Sequence, residues 1–179
     1  MFSISVGKYS VTCSSQGLPE IYDAYVEHAT LADEFDLRES DGDISFLGII
    51  HDSDWPFLVI AQHYSPSGYG FTPGVLIVPE TDILFMGAGV RLLAYDLKVP
   101  KRIWEDVAEF GFWRWRKHGE YVVMSAELEL AAWTVSGQKL WSKEVEPPWD
   151  YKVESGLVHL DVMGTKTSFP IASNPSARG

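Results

Sequence analysis

Residues 82–119 read DILFMGAGVRLLAYDLKVPKRIWEDVAEFGFWRWRKHG, and residues 120–156 read EYVVMSAELELAAWTVSGQKLWSKEVEPPWDYKVESG. In the first half of the two segments, matching residues lie 38 positions apart by subtraction of their numbers: Met86 with Met124, Ala88 with Ala126, Leu92 with Leu130, and Ala94 with Ala132. After a turn that is one residue shorter, Trp104 matches Trp141 at a spacing of 37. A repeat of this length indicates one supersecondary unit copied twice, so it predicts an architecture and not a chemistry.

Alternating polar and apolar residues predict short antiparallel strands within the repeats. In residues 126–130, for example, glutamate and leucine side chains alternate, as a strand with one buried face requires. Turn-forming pairs such as Ser136-Gly137 interrupt these runs at short intervals, which is typical of an all-β domain. The predicted strands are 82–87, 90–97, 101–106 and 110–117 in the first repeat, and 120–125, 127–135, 138–143 and 149–154 in the second.

The first 80 residues contain strand patterns but no clear copy of the repeat. The continuously apolar run 57–61 predicts a strand buried on both faces, and residues 44–50 predict another. Residues 74–79 and 82–86 are interpreted as two strands joined by a corner at Pro79. Residues 1–80 are expected to form an N-terminal sheet that covers the repeats.

Four other stretches carry different signals. Residues 19–28 fit a short helix and an irregular loop equally well, whereas residues 100–110 are interpreted as strand because their repeat partner lacks helical spacing. The acidic residues 30–43 predict an exposed connection, and residues 171–179 have too little apolar surface to order themselves. The last stretch is therefore expected to be a mobile tail.

The most specific pattern surrounds one turn of each repeat. It comprises Ala94-Tyr95-Asp96 followed by Trp104, and Ala132-Trp133-Thr134 followed by Trp141. This pattern resembles the repeat of pyrroloquinoline-quinone-type β-propellers, with Thr134 replacing the usual Asp and Pro100 the usual Gly. The resemblance covers residues 82–156 and implies blade-like sheets that contact each other through tryptophans. The quinone-binding and calcium-binding residues of that family lie outside this stretch, so no cofactor, metal or catalytic residue is carried over.

These observations predict one all-β domain over residues 1–170. It comprises an N-terminal sheet and cover (1–80), two blade-like repeats (82–119 and 120–156) and a partial third unit (157–170), before the tail 171–179. A closed propeller has typically 4–8 blades, so the expected fold class is a stack of twisted antiparallel sheets, either a partial β-propeller-like or a sandwich arrangement.

Composition argues against several classes of partner. The net charge of −11, from 14 basic and 25 acidic side chains, is opposite in sign to that of a nucleic-acid-binding surface. No stretch approaches the ~18 consecutive apolar residues of a transmembrane helix, so we expect no membrane partner. Cys13 is the single cysteine and excludes an intrachain disulfide, which fits a cytoplasmic protein.

One candidate site combines histidine and carboxylate side chains. His51, Asp52 and Asp54 lie within four residues, and His63 lies on the next predicted strand. Such a cluster could bind a metal or support acid–base chemistry. No recognised ligand spacing is present, and the favoured interpretation is a hydrophilic hairpin turn.

The other candidate is the basic-aromatic strand 112–118. Regular alternation predicts that Trp113 and Trp115 share one face, and that Arg114 and Arg116 share the other with Phe112. The arginines are partner-binding candidates because Trp and Arg are common interface anchors. The favoured alternative places the tryptophans in the core and pairs the arginines with acidic side chains.

The expected function is a non-enzymatic protein–protein interaction module with an acidic surface and another protein as partner, since no catalytic motif is present. One narrower form is a bacterial immunity-type protein that binds a basic toxin. One alternative is a small-ligand-binding or hydrolytic protein with a pocket between residues 1–80 and the repeats. The oligomeric state is left open, including a dimer joined through edge strands.

Overall fold

The computed structural model describes residues 1–39, 41–65 and 72–173, which form four sheets and one helix. Sheet I contains β1 (Phe2–Val6), β2 (Tyr9–Ser14), β3 (Leu31–Phe35), β4 (Asp43–Ile50) and β5 (Leu58–Tyr64), with helix α1 (Tyr22–His28) between β2 and β3. Sheet II contains β6 (Gly74–Val78), β7 (Ile83–Ala88), β8 (Arg91–Asp96) and β9 (Lys101–Val107). Sheet III contains β10 (Phe112–His118), β11 (Tyr121–Ala126), β12 (Glu129–Thr134) and β13 (Lys139–Glu144). Sheet IV contains β14 (Trp149–Glu154), β15 (Leu157–Val162) and β16 (Thr165–Pro170).

Sheets II to IV are antiparallel meanders in which each strand pairs with the next along the chain. Their tight turns follow from the local sequence: Ser155 and Gly156, for example, both have positive φ angles of 49° and 77° between β14 and β15. Such primed turns match the twist of the flanking strands. Sheet I has the order β1-β2-β4-β5-β3, and its β3–β5 pair is parallel.

The sheets stack face to face in chain order, and the core is divided into layers between them. One layer joins sheet I to sheet II, a second joins sheets II and III, and a third joins sheets III and IV. Helix α1 packs on the remaining face of sheet I. The predicted all-β class and the stack of twisted antiparallel sheets, resembling successive propeller blades, are confirmed. No helix in the described part of the chain has both the length and the apolar character to cross a membrane.

The two repeats adopt equivalent structures around their matching tryptophans. Ala94 pairs with Trp104 across β8 and β9, Ala132 pairs with Trp141 across β12 and β13, and the register shifts immediately after each alanine. The Trp104 indole donates to the Gly137 carbonyl at 2.6 Å, and the Trp141 indole donates to the Ile171 carbonyl at 2.7 Å. Each tryptophan therefore links its own sheet to the next one, as the repeat predicted.

The boundaries of the sheets differ from those of the sequence repeats. The predicted last strands of the repeats, 110–117 and 149–154, become β10 and β14, each the first strand of the following sheet. Sheet II takes β6 as its first strand instead. The physical reason is the Phe112 ring, which lies so close to Gly74 and Gly87 that a Cβ there would approach it to 2.7 and 2.5 Å. These glycines let β10 cross over β6 and β7 rather than pair beside β9.

Several predictions for the flanking regions need correction or confirmation. The exposed connection predicted over 30–43 is wrong for residues 31–35, which form edge strand β3 beside β5. Residues 22–28 form a helix, where the sequence left helix and loop open, and residues 101–107 form strand β9, as interpreted. Ile171 is buried and accepts the Trp141 indole hydrogen bond instead of belonging to a tail, while residues 66–71 and 174–179 lie outside the described residues.

Candidate functional site

Most of the net negative charge is concentrated at one end of the stack. Residues 1–64, which form sheet I and α1, carry eleven of the acidic side chains and two of the basic ones, a balance of −9. Residues 65–179 carry fourteen acidic and twelve basic side chains, a balance of −2. Separate counts for residues 1–64 and 65–179 would have revealed this asymmetry, which the total charge conceals.

Part of this acidity is neutralised where sheet I meets sheet II. Arg91 binds Asp36 at 2.6 Å and Glu105 at 3.0 Å, and its guanidinium lies 4.7 Å from the centre of the Phe35 ring. The Tyr95 hydroxyl donates to Asp33 at 2.8 Å, and burial together with this carboxylate raises the pKa of Tyr95. These contacts fix β3 to sheet II, so the acids involved are structural.

The acids around α1 are not neutralised in this way. Within the described residues, Glu20, Asp23, Glu27 and Asp54 form no ion pair, and all four are exposed. Two large apolar side chains lie among them: Ile21 is 51% exposed and Trp55 36% exposed. We define the α1 surface as Glu20, Ile21, Asp23, Glu27, His28, Asp54 and Trp55.

Aromatic packing holds the α1 surface in place, since its seven-residue helix has no side-chain N-cap. Tyr25 stacks on Phe46 with ring centres 5.8 Å apart, and the Trp55 indole stacks on His28 at 4.1 Å. The Tyr22 hydroxyl donates to Glu34 at 2.6 Å, and burial is the main cause of the raised pKa of Tyr22. The loop before β5 and the helix therefore form one surface.

The predicted histidine–carboxylate cluster is not assembled. His51 lies in the loop that joins β4 to β5, with its Nε2 3.4 Å from Asp52 Oδ2. His63 pairs with Ile44, five residues along the β4–β5 ladder from the Ile49–Leu58 pair that adjoins the loop. Its Nδ1 lies 3.1 Å from Glu39 Oε2. The two histidines are thus at opposite ends of the hairpin.

The remaining member of that cluster, Asp54, is exposed beside Trp55 and belongs to the α1 surface. No group of three or more His, Cys, Asp or Glu side chains suited to a metal ion occurs in the described ranges. The four predicted residues therefore do not converge on one place, because the register of β4 and β5 separates the two histidines.

Arg114 and Arg116 lie on β10, where a bulge changes the predicted alternation. The register shifts between Phe112 and Arg114, so Phe112 and Trp115 both enter the core between sheets II and III. Trp113 instead stacks on Trp149 of sheet IV, with ring centres 5.1 Å apart. The predicted shared face for Trp113 and Trp115 is wrong because the bulge adds one residue to β10.

The two arginines follow the opposite face of β10. Arg116 pairs with Val123, which belongs to the core between sheets III and IV, and Arg114 pairs with Ser125 on the same face. Directly paired residues of adjacent strands point to the same side of a sheet. Both side chains are exposed and lie beside sheet IV, away from the α1 surface at the other end of the stack.

Comparison with known proteins gives partial similarities only. No protein-family model matches the chain, and no curated protein matches it either. The crystal structure of the computationally designed Ika4 protein is 16% identical at a TM-score of 0.44, covering 62% of this chain and 72% of Ika4. BamB from Moraxella catarrhalis is 11% identical at a TM-score of 0.43, covering 73% of this chain and 49% of BamB. Hsv2 from Kluyveromyces lactis is 13% identical at a TM-score of 0.30, covering 54% of this chain and 31% of Hsv2.

Proposed function

We propose that this protein is a non-enzymatic protein-binding module that uses the α1 surface to contact a partner with a basic face. The observation that carries the proposal is the coincidence of unpaired carboxylates with exposed Ile21 and Trp55 on one packed surface. Interfaces commonly have an aromatic or aliphatic centre and a polar rim. The α1 surface has this composition.

The negative charge of residues 1–64 supports a partner with a basic surface. A local balance of −9 over residues 1–64 attracts basic surfaces and accelerates their encounter, an effect that falls as salt shortens the Debye length to about 8 Å at physiological ionic strength. Electrostatic complementarity of this kind contributes more to association rate and specificity than to final affinity. A basic toxin has this chemistry, so an immunity-type role is a narrower form of the same proposal.

The repeats would serve as the scaffold for this surface. Their resemblance to pyrroloquinoline-quinone-type propeller repeats supports a rigid sheet stack, and no quinone site is proposed with it. Sheet I rests on sheet II through a continuous apolar layer that includes Leu47, Ile60 and Leu84. A binding surface supported in this way needs little reorganisation on association, which lowers the entropic cost of binding.

The proposal is tested by affinity capture with matched charge variants. Three forms of the protein are immobilised: the wild type, an Asp23→Asn/Glu27→Gln/Asp54→Asn variant and a Glu109→Gln/Glu144→Gln/Glu146→Gln control. Each form is exposed to the same cell extract, and the retained proteins are eluted with increasing salt. The control removes three exposed carboxylates that form no ion pair with a described residue and lie far along the chain from α1.

Basic proteins that the wild type and the control retain, and the α1 variant releases at clearly lower salt, would support the proposal. A Trp55→Ala variant should weaken the same capture by about 10-fold or more, since anchor side chains contribute at least about 1–2 kcal/mol. Equal retention by all variants, or retention insensitive to salt, would refute the proposal.

A further inference from the structure

A second surface, far from α1, carries unpaired positive charge. The side chains of Arg114 and Arg116 form no ion pair or hydrogen bond with any other described residue, although the protein has 25 acidic side chains. The neighbouring Lys117, in contrast, pairs with Glu80, and Arg91 binds two carboxylates. The favoured sequence interpretation was that the two arginines of β10 pair with acidic side chains. Among the described residues, this interpretation is wrong.

Three buried polar atoms without hydrogen-bond partners among the described residues lie on β10 and on the strands that adjoin it. The Tyr151 hydroxyl, the Ser125 hydroxyl and the His118 Nε2 atom are each buried and have no hydrogen-bond partner in the described part of the chain. Tyr151 is only 8% exposed and Ser125 only 2%. A buried polar group without a partner costs about 1–3 kcal/mol, so such groups are uncommon and call for an explanation.

The position of each group follows from the strands. Ser125 is the register partner of Arg114, and the His118 ring meets the Tyr151 ring edge-on with centres 6.2 Å apart. β10 and β14 are the first strands of sheets III and IV, and the stacked Trp113 and Trp149 indoles join them. We call this region the β10–β14 seam, comprising Trp113, Arg114, Arg116, His118, Ser125, Trp149 and Tyr151.

Arg114, Arg116 and His118 alternate along one face of β10, and the His118 ring contacts Tyr151, so both guanidinium charges act on the Tyr151 hydroxyl. Burial raises the pKa of Tyr151, and Arg116 and Arg114 oppose that rise, whereas the Asp150 carboxylate adds to it. Burial, with a smaller contribution from Arg116, lowers the pKa of His118, so its imidazole is neutral at pH 7. A neutral imidazole and two hydroxyls can supply hydrogen bonds, and the arginines supply the charge.

We infer that the β10–β14 seam binds an oxyanion, the carboxylate or phosphate group of a ligand. Arg114 and Arg116 would form charge-assisted hydrogen bonds to its oxygens, as guanidinium groups do with both anions. The Tyr151 and Ser125 hydroxyls would gain the partners that they lack. The Trp149 indole donates to the Glu127 carbonyl at 2.9 Å, which fixes the side of the seam before the anion arrives.

The test is a titration with inorganic phosphate, and separately with acetate, followed by two-dimensional amide and indole NMR at constant ionic strength. Chloride replaces the anion in a reference titration. An Arg114→Gln/Arg116→Gln variant removes the charge of the seam, and an Arg38→Gln/Lys101→Gln control removes two exposed charges elsewhere that form no ion pair with a described residue. A Tyr151→Phe variant removes the orphan hydroxyl alone.

We expect saturable shifts confined to β10, β11 and β14, with a dissociation constant of roughly 1–10 mM for a single small anion. The Arg114→Gln/Arg116→Gln variant should bind about 10-fold more weakly and the control less than about 2-fold more weakly. Tyr151→Phe should weaken binding while leaving the melting temperature of the free protein unchanged or higher, because it deletes an unpartnered buried hydroxyl.

Saturation by phosphate alone would indicate a phosphorylated ligand, and saturation by acetate alone would indicate a carboxylate ligand. Saturation by both anions would indicate that the seam recognises the oxyanion chemistry that they share. The inference is overturned if neither anion saturates, if chloride reproduces the shifts, or if the Arg38→Gln/Lys101→Gln control weakens binding as much as the arginine variant does. Because the seam and the α1 surface lie at opposite ends of the stack, this result is independent of the proposed protein partner.

Discussion

The tryptophans that follow the matching alanines act through both their rings and their indole nitrogens. Trp104 stacks on Trp133 with ring centres 5.6 Å apart, while Trp141 meets Phe169 edge-on at 5.3 Å. In each case the indole N–H is aimed at a carbonyl of the next sheet. An aromatic ring contributes apolar area, and the hydrogen bond fixes its orientation, so each indole sets the angle between two sheets.

Replacing Trp141 should separate these two contributions. Trp141→Phe keeps most of the packing but leaves the buried Ile171 carbonyl without its donor, so the free energy of unfolding should fall by about 1–3 kcal/mol. Trp141→Ala also leaves a cavity and should cost about 3–5 kcal/mol. Urea denaturation measures both losses. A change below about 0.5 kcal/mol for Trp141→Phe would contradict the role of the hydrogen bond.

Tyr9 and Asp82 form a second link between sheets I and II, and this link depends on pH. The Tyr9 hydroxyl donates to Asp82 at 2.7 Å, and Lys8 lies 2.9 Å from the same carboxylate oxygen. Burial, with the hydrogen bond to Asp82, raises the pKa of Tyr9 from 10.0 to about 12. The hydrogen bond from Tyr9, followed by that from Lys8, lowers the pKa of Asp82.

The sign of each shift fixes its pH window. The contribution of Tyr9 to folding stability is complete below pH 10 and is lost as the pH rises towards 12. The contribution of Asp82 is present above pH 3.8 and is lost at lower pH. Between pH 10 and 12 the wild type should therefore lose about 1–2 kcal/mol more unfolding free energy than the Tyr9→Phe variant does. Chemical denaturation across that range provides the measurement, and parallel curves for the two proteins would refute the link.

At the level of elements, the crossing of β10 over β6 and β7 decides how strands are shared among sheets. The individual strands and their turns could be predicted because alternation and turn residues are local signals. Their partition could not, because it depends on the contact of Phe112 with Gly74 and Gly87, which lie 38 and 25 residues away by subtraction. The bulge at Trp113 could not be predicted either, because no residue type specifies which strand gains the extra residue.

A methyl group at Gly87 should test this crossing. The Cβ of Gly87→Ala would lie 2.5 Å from the Phe112 ring, so the variant should lose about 1–3 kcal/mol of unfolding free energy through overpacking. Phe112→Leu in the same chain should recover part of this loss, giving a coupling energy of about 0.5 kcal/mol or more in a double-mutant cycle. Additive losses in thermal or urea unfolding would show that Phe112 does not determine the crossing.

At the scale of the whole molecule, the two candidate surfaces differ in how far the sequence could identify them. The acidity of the first half was present in the printed residues and needed only separate counting. The β10–β14 seam needed the three-dimensional structure, because Ser125 adjoins Arg114 within sheet III, whereas Tyr151 comes near the arginines only when sheet IV stacks on sheet III. Arg114 and Arg116 were recognised from composition, but their lack of acidic partners was not.

The stacked arrangement also predicts an order of local stability along the chain. Sheets II and III are covered on both faces, and every residue of β7 is buried, whereas the edge strand β1 has four exposed residues out of five and β16 has four out of six. Opening a central sheet disrupts two apolar layers, whereas opening the edge strand β1 or β16 exposes few buried side chains. Amide protection in folded proteins follows this difference in buried apolar contacts.

Native-state hydrogen exchange should therefore show a graded pattern. We expect the slowest amides in β7, β8, β11 and β12, with opening free energies close to that of global unfolding, and the fastest in β1 and β16. Trp141→Ala should accelerate exchange in sheet IV more than in sheet II, because its indole joins only sheets III and IV. Uniform exchange in all four sheets, or slower exchange in β16 than in β7, would show that the sheets unfold as one cooperative unit instead of as a layered stack.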